Sequence, residues 1–151
     1  MIAKKTHEKL VIYTDGGARG NPGPAAIAVV LQDNSSNLIK SYSEIIGDAT
    51  NNEAEYQAVV FALRKVRALL GKKKCQDLVI ELRLDSELVA RQLRGEYKIE
   101  EEKLFPLFIK VWNLRMDFKE VKFLNIPREK NKAADRLVNE VLDRGSQGSL
   151  L

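Results

Sequence analysis

A chain of 151 residues, 44% hydrophobic and 30% charged, is long enough for one domain with a proper core and has the balance of an ordinary globular protein. Its formal charge of +4 is a mild basic excess, compatible with a polyanionic partner but not demanding one. One cysteine, Cys75, excludes an internal disulfide and fits a reducing, cytoplasmic setting, and one histidine, His7, in a charged N-terminal arm gives a Cys–His nucleophile no basis.

Residues 10–15 read as an apolar strand that ends on Asp15 and breaks into the turn Gly16-Gly17-Ala18-Arg19-Gly20-Asn21-Pro22-Gly23-Pro24. The next strand, 25–31, is small and continuously apolar, which suits burial on both faces. It is also the longest apolar run and far too short to span a bilayer, and the N-terminus has no apolar segment of a secretion signal. Asp33-Asn34-Ser35-Ser36-Asn37 is a turn into a third strand at 38–46, so the opening is an antiparallel meander.

The hydrophobic period then changes. Tyr56, Val59, Val60, Leu63, Val66 and Leu70 fall on one helical stripe that begins at the capping box Thr50-Asn51-Asn52-Glu53 and is expected to end at Gly71. Lys72-Lys73-Lys74 reads as a solvated loop. A β-type run at 78–84 is followed by Asp85-Ser86 and a short helix to about Leu93. An amphipathic helix carries Leu104, Leu107, Phe108, Val111 and Leu114, and a fifth strand, 121–126, stops at Pro127. The last helix places Ala134, Leu137, Val138, Val141 and Leu142 on one face. The order β-β-β-α-β-α-α-β-α predicts an α/β fold, a mixed five-stranded sheet with helices on its faces. It divides into an arm (1–8), one domain (9–144) and a Gly/Ser-rich tail (145–151).

Acids stand at four element boundaries: Asp15 after the first strand, Glu53 and Glu55 at the first helix start, Asp85 after the fourth strand, and Asp135 in the first turn of the last helix. Ligands of open sheets collect outside the strand ends, so these acids are placed to converge. A cluster of carboxylates resists full ionisation without a counter-charge, which hard divalent cations supply. Two such ions about 4 Å apart can activate water and stabilise the leaving oxygen of a phosphodiester. Read one at a time, Asp85 is a helix cap and Asp135 a favourable charge at a helix N-terminus. Four boundaries carrying acids together favour the metal site.

Tyr13-Thr14-Asp15-Gly16, Gly20-Asn21-Pro22-Gly23-Pro24, Thr50-Asn51-Asn52-x-x-Glu55, Asp85-Ser86 and Pro127-Arg128-Glu129-x-Asn131-x-x-x-Asp135 resemble, in this order, the motifs of type 1 ribonuclease H. The resemblance implies an endonuclease that cleaves the RNA strand of RNA–DNA hybrids, leaving 3′-hydroxyl and 5′-phosphate ends. It makes Asp15, Glu55, Asp85 and Asp135 the catalytic ligands of two Mg²⁺ or Mn²⁺ ions. Asp15 would bridge both, Glu55 and Asp85 would complete one site, and Asp135 would serve the other. Residues two apart on a helix point in widely different directions, so only one of Glu53 and Glu55 can reach the site. The motif register selects Glu55 and the capping box occupies Glu53.

Asn21, Asn51 and Asn52 match positions that grip the hybrid, their amides able to donate and accept toward bases and the RNA 2′-hydroxyl. Ser86 would contact a backbone phosphate. Two departures stand out. Arg128 occupies the loop where many relatives carry a histidine, and it does not titrate at working pH, which puts proton shuttling in doubt but not hydrolysis. The segment 95–103 is short and acidic where some relatives have a basic protrusion, and no accessory hybrid-binding domain is expected. Looser and more salt-sensitive binding by a monomer is expected. The rival readings are a non-catalytic module that binds hybrid or double-stranded RNA, and an integrase-like DNA strand-transfer enzyme.

Overall fold

The chain begins with three antiparallel strands because tight turns separate runs suited to a pleated, buried surface. β1 (Glu8–Ala18) and β2 (Gly23–Gln32) are joined by a turn closed by the Arg19 N–H donating to Pro24 O at 2.8 Å. β2 passes to β3 (Leu38–Ala49) through a turn in which Asp33 Oδ1 accepts from the Ser35 and Asn37 N–H groups, each at 2.9 Å. The structure, a computed structural model, describes residues 8–148. Apart from Glu8, which opens β1, the expected arm with His7 lies outside the described residues, as does the end of the tail, Ser149-Leu150-Leu151.

β1 and β3 run past the expected 10–15 and 38–46. Ladder pairing carries them on, with Gly16 opposite Ile27, Ala18 opposite Ala25, and Asp48 opposite Pro24. Such non-local pairing holds glycines and charges that local preference assigns to a turn. α1 (Asn51–Gln76) is interrupted at Gly71, whose φ of +82° is the break expected there. Helix then resumes, so Lys72-Lys73-Lys74 lies on a helical turn and not in a loop, held by the fully buried Cys75. β4 (Leu78–Leu84), α2 (Glu87–Leu93), α3 (Phe105–Arg115), β5 (Glu120–Asn125) and α4 (Lys132–Gly148) complete the order, with 3-10 turns at Glu102–Leu104 and Arg128–Lys130.

The sheet order is β3-β2-β1-β4-β5. The β2 contacts are antiparallel, whereas β1–β4 and β4–β5 are parallel, so the mixed five-stranded α/β sheet is as expected. β1 and β4 run parallel with Tyr13 opposite Arg83, so Asp85, just past the end of β4, comes beside Asp15 of β1. Alternation along the strands divides the core. Leu10, Ile12, Val29, Leu31, Ile80 and Leu82 face α1, α2 and α3, while Ala26, Ala28 and Val30 face Val138, Val141 and Leu142 of α4. α4 continues beyond Arg144 to Gly148, and Gly145 lies so close to β3 that a Cβ there would stand 2.7 Å from Ile45 Cδ1. Among the described residues no helix is long and apolar enough to cross a membrane.

One close approach sets the site. A Cβ on Gly16 would lie 2.3 Å from the Ala54 carbonyl carbon and oxygen and 2.7 Å from Glu55 N, so only glycine lets the start of α1 rest on the end of β1. At Gly17 the added atom would meet only Val138 Cγ1 at 3.7 Å, an ordinary contact. Gly16→Ala is expected to lose about 2–3 kcal/mol in urea denaturation, and Gly17→Ala to change stability by less than about 1 kcal/mol.

Candidate active site

The end of β1, the end of β4, the start of α1 and the start of α4 enclose an open cleft of about 420 Å³. Its lining includes Asp15, Glu55, Asp85 and Asp135, the four acids singled out in the sequence, together with Asn51, Asn52, Ser86 and Arg128. Carboxylate oxygens of Asp15, Glu55 and Asp85 lie within 4.8 Å of one another. Asp135 enters from the α4 side and helps to raise the Asp15 pKa.

Helix capping separates the two glutamates. Thr50 Oγ1 accepts from Glu53 N at 3.1 Å, and Glu53 Oε1 accepts from Thr50 N at 3.0 Å. Glu53 is thereby occupied at the cap, while Glu55 turns inward and is only 8% exposed. The fully buried Tyr56 donates through its hydroxyl to Gln92 Oε1 at 2.7 Å, tying α1 to α2 beside the cleft.

The electrostatics are those of a cluster short of positive charge. Burial, then Asp85 and Asp135, push the Asp15 carboxyl up to about 7. Burial, followed by Asp15 and Asp85, pushes Glu55 well above the usual carboxylate range. Glu55 Oε2 is buried and meets no hydrogen-bond donor. A donor set made of carboxylate oxygens, one of them orphaned and two reluctant to ionise, fits a hard divalent cation.

The grip residues have definite orientations. Asn51 Oδ1 accepts from Ala18 N and Asn21 Oδ1 accepts from Asn51 N, both at 2.9 Å. Each oxygen accepts one scaffold bond and keeps a second lone pair, so these side chains can still donate and accept, with their amide donors the freer groups. Asn52 lines both the acid cleft and an adjoining groove with Leu88, Gln92, Lys98, Glu100 and Glu101. Ser86 Oγ caps α2 by accepting from Val89 N at 3.2 Å, which leaves its hydroxyl proton free to donate. It is Ser86, not Asp85, that caps the helix. Arg128 stands exposed at the rim.

One residue gains a place that its sequence position did not assign. Asn131, only 1% exposed, donates from Nδ2 to Thr14 O at 2.9 Å and to Asp85 Oδ2 at 3.1 Å. In sequence it is the residue before a helix, a common capping position, and nothing local marks a contact across 46 positions to Asp85.

A family model described as reverse transcriptase-like matches residues 13–141. Ribonuclease HI of Halobacterium salinarum is 39% identical over 131 residues, covering 87% of this chain and 63% of that protein. A bifunctional protein of Mycobacterium tuberculosis is 36% identical over 142 residues, 93% of this chain and 37% of that protein. The chain thus spans less than two thirds of the length of these relatives. The crystal structure of LC11-RNase H1 in complex with an RNA/DNA hybrid superposes with a TM-score of 0.85 at 46% identity, covering 90% of this chain and 98% of that one. With its sheet order, its converging acids and these relatives taken together, the chain belongs to the type 1 ribonuclease H family.

Proposed function

We propose that this protein is an endoribonuclease that hydrolyses the RNA strand of RNA–DNA hybrids, with two Mg²⁺ or Mn²⁺ ions as cofactors, leaving 3′-hydroxyl and 5′-phosphate ends. The observation that carries this reading is the convergence of Asp15, Glu55, Asp85 and Asp135 from four elements in one cleft. Asp15 would be the shared ligand, with Glu55 and Asp85 completing one site and Asp135 serving the other. When bound, the cations supply an activated water and charge stabilisation at the leaving oxygen.

The remaining residues hold the duplex. The free amide donors of Asn21 and Asn51 suit the acceptors of a minor groove, and Asn52 reaches the same surface. A 2′-hydroxyl, which accepts as well as donates, distinguishes the RNA strand there. The Ser86 hydroxyl and the Arg128 guanidinium bind phosphate, Arg128 by fixed charge without moving a proton. In the adjoining groove Glu100 and Glu101 accompany a single base, Lys98, so that groove offers few phosphate contacts. Binding is then loose, and because affinity for nucleic acid rests largely on phosphate contacts it weakens further with salt. A reducing, cytoplasmic location agrees with Cys75, which is buried with its thiol pKa raised by that burial.

A binding module that does not cut is the second reading, and the buried acids weigh against it. A binder gains nothing from carboxylates that repel each other and resist ionisation. The deciding assay uses end-labelled RNA–DNA, DNA–DNA and RNA–RNA duplexes of one sequence, with Mg²⁺, Mn²⁺ or EDTA. Metal-dependent cutting confined to the RNA of the hybrid is the expected result. Hybrid binding with no cutting under either metal would make the binding module correct.

A further inference from the structure

Asn131 is an asparagine at a helix start that caps nothing. Its backbone carbonyl accepts from Asp135 N at 3.1 Å, which opens α4. At such a position the side-chain oxygen ordinarily turns back to accept from the first helical N–H groups. Here Oδ1 is buried with no donor, and the side chain points away from the helix. A buried unsatisfied acceptor and a forgone cap are both unfavourable, so the orientation is held by what Nδ2 does. Nδ2 bridges Thr14 O, the carbonyl next to Asp15, and Asp85 Oδ2.

We propose that Asn131 is a positioning residue that fixes Asp85 for cation binding by strapping the ends of β1 and β4 to the start of α4. Three of the four acids lie on the elements it joins: Asp15 follows Thr14, Asp85 is bonded directly, and Asp135 is one helical turn beyond Asn131. With Oδ2 engaged by the amide, the Asp85 carboxylate is held against free rotation. Asn131 touches neither a cation nor substrate in this role. It sets the direction of a ligand, as outer partners of metal-binding carboxylates commonly do.

The inference rests on the carboxylate cluster being a divalent-cation site, and the experiment separates the two. Asn131→Ser keeps a side chain that caps helices well but is too short to reach both Thr14 O and Asp85. Mn²⁺ affinity would be measured by calorimetry well below the unfolding temperature, without nucleic acid, beside melting curves in EDTA. The expected result is a 10–100-fold weaker Mn²⁺ affinity, on the order found for outer-shell partners, while melting in EDTA stays close to wild type. Should the serine variant fold poorly, Asn131→Ala is titrated at low temperature, with the same loss expected of the folded protein. Wild-type Mn²⁺ affinity in a folded variant overturns the strap and leaves the nuclease reading intact. Absence of Mn²⁺ binding by the wild type overturns the cation site itself, and the strap with it.

Discussion

Asp15→Asn is expected to lower hybrid cleavage by on the order of 10³-fold or more and, in EDTA, to make the protein more stable. Both effects have the same origin. Asp15 is 6% exposed and stands against Asp85, Asp135 and Glu55, so ionising it in the cation-free protein is unfavourable. Asparagine keeps the shape, removes the charge and adds a donor facing the neighbouring carboxylates. Each pKa unit corresponds to about 1.4 kcal/mol. With the Asp15 carboxyl raised to about 7 and part of the cost relieved by relaxation, a gain of about 2 kcal/mol at pH 8 is expected. In a domain of this size that raises the melting midpoint by roughly 5 °C. Hybrid binding should largely survive, because Asn21, Asn51, Asn52, Ser86 and Arg128 are untouched. Retained cleavage would remove Asp15 from the chemistry, and lower stability in EDTA would mean that the carboxylate is held by donors and not under repulsion.

Without divalent cations the protein is expected to lose stability as the pH rises from about 4 to 7. The folded-state carboxyls of Asp15 and Glu55 bind protons more tightly than their ordinary values of 3.8 and 4.5 allow in the unfolded chain. Between the ordinary values and the raised ones the native state therefore holds more protons than the unfolded state. Linkage then makes the unfolding free energy fall with pH, by about 1.4 kcal/mol per unit for each such proton. Glu81 has the opposite sign: burial raises it, but Arg83 and Lys9 outweigh burial and hold it below its ordinary value. Its contribution is lost only as the pH drops below the usual carboxylate range, so the metal-free maximum falls near that range. Mg²⁺ at about a hundred times its dissociation constant should restore about 2.7 kcal/mol. The gain increases with pH because protons compete for the same oxygens. Urea titrations from pH 4.5 to 8, with EDTA or excess Mg²⁺, measure both slopes. A flat profile in EDTA would show that the acids are solvated and the cluster is looser than its distances indicate.

The sequence by itself determined the elements and their order. Short apolar runs separated by turn residues at 20–24 and 33–37 specify the meander, and the stripe from Tyr56 to Leu70 behind a capping box specifies α1. These signals are local, set by backbone preference and by which side chains can face a core. The acids at element ends were legible for the same reason, whereas the choice of Glu55 over Glu53 came from the motif register and the capping box, because both residues flank the apolar stripe. Tertiary structure alone decided the matters that depend on partners far away in sequence. Strand extension through Gly16 and Gly17 required the β2 ladder, and the helical turn at Lys72-Lys73-Lys74 required the buried Cys75 behind it. The side-chain oxygens of Asn21 and Asn51 accept from backbone N–H groups 30 and 33 positions away, which fixes how these side chains face the cleft. Asn131 reads locally as a helix cap and becomes a bridge only when β1, β4 and α4 end at one point. No sequence period encodes that convergence, because a hydrogen bond depends on the distance between its two atoms in space and not on their separation along the chain.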